Sequence, residues 1–94
     1  MEMIPAKFSL GRILATPGAF DALNAVRENP LTFLLRHAVG DWGEITEGDT
    51  KENEFALDKH LRLFSVYRLS SGTNIWIITE ADRSSTTILL PTEY

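Results

Sequence analysis

Ninety-four residues make one domain, with no room for a second core. Apolar residues are 44% and charged residues 23% of the chain, an ordinary globular mix that excludes disorder, collagen and coiled coil. The absence of cysteine removes disulfides, thiolate metal sites and cysteine nucleophiles, and a net charge of −4 is the wrong sign for a domain held to nucleic acid by its overall field.

No apolar run is long enough to span a bilayer, and Met1–Lys7 lacks the basic and apolar halves of a secretory signal, so a cytoplasmic location without membrane attachment is expected. Phe8–Thr16 reads as a first strand covered on both faces for part of its length, because neither alternating set is purely polar. Thr16-Pro17-Gly18 opens a helix: a threonine hydroxyl caps free amides, and proline at the first position loses no hydrogen bond. Phe20, Leu23 and Val26 mark its apolar stripe. Asn29-Pro30 repeats the device for a second helix through Leu31, Leu34, Leu35 and Ala38, with Gly40 as left-handed terminator.

From Asp41 to Asp58 seven acids face only Lys51, while the rest of the chain is mildly basic. Asp49 with Glu52 three residues on fits the start of a third helix, whose apolar contact Phe55-Ala56-Leu57 is narrow. Three strands follow: Leu61–Leu69, Thr73–Glu80 and Ser85–Leu90, separated by Ser70-Ser71-Gly72 and Ala81–Ser84 and closed by Pro91. The expected fold is α+β, a single domain over 1–94 in the order β-α-α-α-β-β-β. Helices pack on one face of a three-stranded antiparallel meander, and the first strand pairs with either the second or the fourth. The predicted core is Phe20, Leu23, Leu34, Leu35, Phe64, Ile75, Ile77, Ile88 and Leu90.

Catalytic chemistry finds little foothold. His37 and His60 are the only histidines; Asp41 follows His37 by four residues, but neither the paired-histidine helix nor the calcium loop is present, so no metal and no cofactor are expected. His37 reads as a histidine near a helix end, where the dipole favours its charge. There is no Gly-x-Ser-x-Gly elbow and no phosphate-cradling glycine loop, so no catalytic residue is assigned.

Four strings in order, Gly11–Ala19, Gly40-Asp41-Trp42-Gly43, Trp76–Arg83 and Thr86–Tyr94, resemble a family of small uncharacterised bacterial proteins labelled plasmid-related or hypothetical. The resemblance spans about Phe8 to Tyr94 and implies a mobile-element setting, in plasmid or phage, without implying an activity. The preferred reading is a small acidic binding protein without catalysis. It would be an anti-defence inhibitor of, or adaptor to, a nucleic-acid-handling protein, meeting a basic protein surface rather than nucleic acid. Its expected partner site is Trp42, Glu44, Glu47, Asp49, Glu52, Glu54 and Asp58: a dense negative face speeds encounter with a basic surface, and Trp42 either anchors the contact or plugs the helix–sheet junction. The element order is also similar to that of RelE-like ribonuclease toxins, a likeness that would nominate Arg62, Arg68, Arg83 and Tyr94 for RNA cleavage, against an acidic charge that opposes phosphate binding.

Overall fold

The computed structural model describes residues 5–94, and the chain runs through β1 (Arg12–Ala15), α1 (Pro17–Val26), α2 (Pro30–Ala38), α3 (Glu47–Lys59), β2 (Leu63–Arg68), β3 (Asn74–Thr79) and β4 (Ser85–Leu89), ending in a 3-10 turn at Pro91–Glu93. The fold is α+β with the helices on one face of the sheet. Strand order is β1-β4-β3-β2; the last three form the antiparallel meander, and β1 adds in parallel to β4, so the sheet is mixed. A parallel neighbour requires a long crossover: the three helices carry the chain across to the far edge, and β2 and β3 lead back to β4.

The capping residues do what their chemistry dictates. The Thr16 hydroxyl accepts from the amide of Ala19 (3.3 Å), Asn29 Oδ1 accepts from Leu31 (2.9 Å), and each cap is followed by proline at the first helical position. At the end of α2, Gly40 takes φ +85°; its amide donates to the His37 carbonyl and that of Asp41 to the Arg36 carbonyl, the paired bonds of a Schellman stop. α3 begins three residues earlier than the Asp49 start read from sequence. Thr46 is its cap, accepting from the amide of Asp49 (3.0 Å), which places Glu47 and Asp49 in the first turn where the dipole favours them.

β1 is four residues rather than nine, and its expected double cover is absent. It lies at the sheet edge with every residue exposed, Ile13 at 45% and Leu14 at 40%. The opposite edge, β2, is covered at Phe64 and Val66. Val66 donates to the Trp42 carbonyl (3.1 Å) and accepts from the Glu44 amide (2.7 Å), while the Asn53 side chain occupies both backbone groups of Phe64. The first of these contacts needs Gly43, at φ +75°, because a Cβ there would sit 2.0 Å from the Val66 carbonyl oxygen.

Leu23, Leu34, Ile75, Ile77 and Ile88 are buried together with Ala19, Phe33, Tyr67 and Leu69, between α1, α2 and the sheet. A second cluster, Trp42, Ala56 and Leu63, fills the space under α3. Phe20 and Leu35, predicted as core, are instead exposed at 58% and 56%. The inward stripe of α1 runs through Ala19 and Leu23, and that of α2 through Phe33, Leu34, His37 and Ala38, which turns the neighbouring Phe20 and Leu35 to water. Phe64 and Leu90 are only half-buried: Phe64 faces away from the helices, edge-on to Trp76 (5.1 Å).

Candidate functional site

α3 turns Asn53 and Ala56 inward and leaves Glu47, Glu52, Glu54, Phe55 and Asp58 exposed, with Asp49 half-buried in its first turn. Its five carboxylates face two lysines, Lys51 within 4.0 Å of Glu47 and Lys59 within 3.6 Å of Asp58, so the helix surface is negative. Glu44, in the loop before the helix, pairs with Arg68 at 3.5 Å. Asp41 stands apart from this face. The Arg36 guanidinium, 2.7 Å away, holds its carboxyl below the ordinary range, and it makes no bond to His37.

Trp42 is 4% exposed and serves as the plug of the helix–sheet junction. Its ring stacks on Phe8 (6.2 Å) and meets the edge of His37 (5.6 Å), and its indole N–H donates to Glu54 Oε1 (3.2 Å), bracing that carboxylate from beneath. The aromatic that stands among the acids is Phe55, 57% exposed; with Leu61, Lys51, Glu52, Ala56 and Arg62 it lines an open groove of about 710 Å³. Three consecutive apolar residues on a helix point 100° apart, so Phe55, Ala56 and Leu57 cannot all face the core. That spacing was the sequence signal for Phe55.

Of the four residues nominated by likeness to ribonuclease toxins, the structure brings two together. Arg62 donates to the Tyr94 hydroxyl (3.2 Å) and to Glu80 (3.1 Å), beside Phe64, Trp76 and Ile78 on the sheet face away from the helices, around a hollow of about 260 Å³. Arg68 is held at Glu44. Arg83, at φ +63°, donates to the carbonyls of Leu61 (2.6 Å), Ala56 (2.9 Å), Ala81 (3.1 Å) and Glu80 (3.2 Å), tying the β3–β4 turn to the C-terminal end of α3.

His37 is fully buried and engaged in a chain of hydroxyls whose direction is fixed by its far end. Thr86 donates to the Leu10 carbonyl (2.7 Å), so it accepts from Thr79 (2.7 Å). Thr79 then accepts from Nε2 of His37 (2.9 Å), leaving Nδ1 to accept from Ser65. The imidazole is therefore the neutral Nε2–H tautomer. Burial pushes its pKa down to about 4, overriding the helix-end preference for charge expected from sequence. A serine bonded to a histidine has the outline of a nucleophile and its base, but Ser65, His37, Thr79 and Thr86 all have no contact with solvent, so the chain orders the core. Among the described residues no three His, Asp or Glu side chains converge as metal ligands, and no helix is long and apolar enough to cross a membrane.

No family model matches the chain, and comparison with curated proteins and with solved structures finds no match.

Proposed function

We propose that the chain is a non-catalytic binding protein whose acidic α3 meets a basic surface on a protein partner. The observation that carries this reading is Phe55, a large ring left 57% exposed on the same helix as the carboxylates Glu47, Glu52 and Asp58. An exposed aromatic supplies desolvation energy, and surrounding charges steer encounter and reject acidic surfaces. Trp42, read from sequence as either the anchor of this contact or the plug of the junction, contributes indirectly by fixing Glu54. The resemblance to plasmid-related proteins gives the reading its setting: a mobile-element protein in the cytoplasm that inhibits or adapts a nucleic-acid-handling defence protein, with no nucleic acid bound directly.

The test is capture of a partner from host lysate followed by affinity measurement across a salt series. Glu47→Lys, Glu52→Lys and Asp58→Lys together, or Phe55→Ser alone, should weaken binding while leaving the circular dichroism spectrum unchanged, since exposed charges contribute little to stability. Affinity unchanged by salt and by these variants removes α3 from the interface.

A second reading, RNA cleavage, is favoured by one observation, the Arg62–Tyr94 contact beside exposed aromatic surface. Site-specific cleavage of RNA lost in Tyr94→Phe and Arg62→Ala would replace the binding-protein reading.

A further inference from the structure

We propose that two copies of the chain associate edge to edge through β1, in antiparallel register about a two-fold axis at Leu14. This surface is separate from α3 and does not depend on what α3 binds. The two edges of the sheet are treated differently by the fold. Every outward backbone group of Phe64 and Val66 on β2 has a partner, whereas among the described residues none covers the outer edge of β1. Arg12 and Thr16 donate inward to the carbonyls of Ser84 and Ile88, and alternation along a strand then points the amides and carbonyls of Ile13 and Ala15 outward. Bare edges invite pairing with another chain, and natural proteins often block them by shortness, charge, proline or a bulge. This edge is short and opens on Arg12, but it carries Ile13 and Leu14 exposed at its centre.

The occupant is a second copy because the edge complements itself. With Leu14 opposite its symmetry mate, Ile13 of one copy faces Ala15 of the other, so both outward amides and both outward carbonyls of each strand find partners. Arg12 then lies opposite Thr16 of the other copy. Among the described residues Arg12 has no carboxylate within ion-pairing distance, and Thr16 donates its hydroxyl to Glu93. That Glu93 carboxylate also accepts from the amides of Gly18 (3.1 Å) and Leu90 (2.9 Å), and among the described residues no cation lies within ion-pairing distance of it. Each end of the paired strands therefore joins an unpaired guanidinium to an unpaired carboxylate, twice over by symmetry. Pro17, which lacks an amide, ends the ladder where α1 begins.

Sedimentation equilibrium over a range from low micromolar to millimolar protein, with amide hydrogen exchange at both ends of that range, tests the proposal on the full chain. The expected mass rises to double the 10.6 kDa of a single chain, and the Ile13 and Ala15 amides become protected as it does, while Leu14 stays protected throughout. Ile13→Pro removes an outward donor without touching the β4 ladder and should abolish association. Arg12→Glu, at an exposed position, should weaken association by about tenfold or more and lessen its salt dependence. A single-chain mass at every concentration overturns the proposal, as does association with the Ile13 and Ala15 amides still exchanging freely. Dimerisation that survives both variants overturns it too.

Discussion

The carboxamide of Asn53 treats Phe64 as a neighbouring strand would: Nδ2 donates to its carbonyl at 2.7 Å and Oδ1 accepts from its amide at 3.1 Å. One buried side chain thereby docks α3 and satisfies two backbone groups of β2 at once. Asn53→Ala leaves both unpaired beneath a helix that excludes water, and should cost about 2–4 kcal/mol in urea unfolding. Asn53→Asp should cost a similar amount, because a carboxylate accepts but cannot donate to the Phe64 carbonyl.

His37 makes stability depend on pH in a stated direction. Unfolded, it titrates near 6.5; folded, near 4. Between these values the unfolded chain binds a proton that the native one refuses, so stability falls as pH drops from about 6.5 toward 4, by about 3 kcal/mol in total, and is free of this penalty above 6.5. Unfolding measured from pH 7 to pH 4.5 should show that slope, and His37→Gln, which cannot protonate, should flatten it relative to wild type.

Gly43→Ala should be among the most destabilising single-methyl additions in the chain. The new Cβ meets the Val66 carbonyl and the Tyr67 ring, at a φ of +75° that alanine adopts only with strain. A loss of about 2–4 kcal/mol, with thermal melting moved down accordingly, is expected.

Core truncations should split along the observed helix phases. Leu23→Ala and Ile77→Ala remove fully packed side chains and should each cost about 2–5 kcal/mol. Phe20→Ala and Leu35→Ala, on the wet faces of α1 and α2, should each stay within about 0.5 kcal/mol of wild type. Equal effects in both pairs would mean that Phe20 and Leu35 are covered in solution.

Arg83→Ala removes four hydrogen bonds to carbonyls and keeps a left-handed backbone without the side chain that offset its strain. Arg83→Gly removes the same bonds but relieves the backbone. Both should lower the melting temperature, with alanine lower than glycine by about 1 kcal/mol in stability.

The fold was legible wherever local chemistry decides structure. Thr16-Pro17 and Asn29-Pro30 announce helix starts by themselves, and Thr73–Glu80 can be little but a strand. What was not legible depended on contacts distant in sequence. The phase of α1 and α2 turns on which of several adjacent apolar residues meets the sheet, so Phe20 and Leu35 misled. The pairing of β1 with β4 is a crossover that no local pattern specifies. At the acidic segment the charge was plain, but the sequence left Trp42 open between interface anchor and junction plug and did not mark Phe55 as the exposed ring. Trp42 belongs to a core assembled from Phe8, His37 and Leu63, and Phe55 is the ring left outside.

The placement of β1 beside β4 also governs how the chain is born. Of the strands in this sheet, synthesis delivers β1 first and β4 last, so β1 waits through three helices and two strands for the neighbour it needs. Closing so long a loop is an entropic toll on the folding rate rather than on final stability, and it makes the last step of assembly a non-local one. A nascent chain halted before β4 should hold its helices only loosely, with Ile13 and Leu14 available to any waiting chaperone; release of β4 would then trigger folding in a single late event.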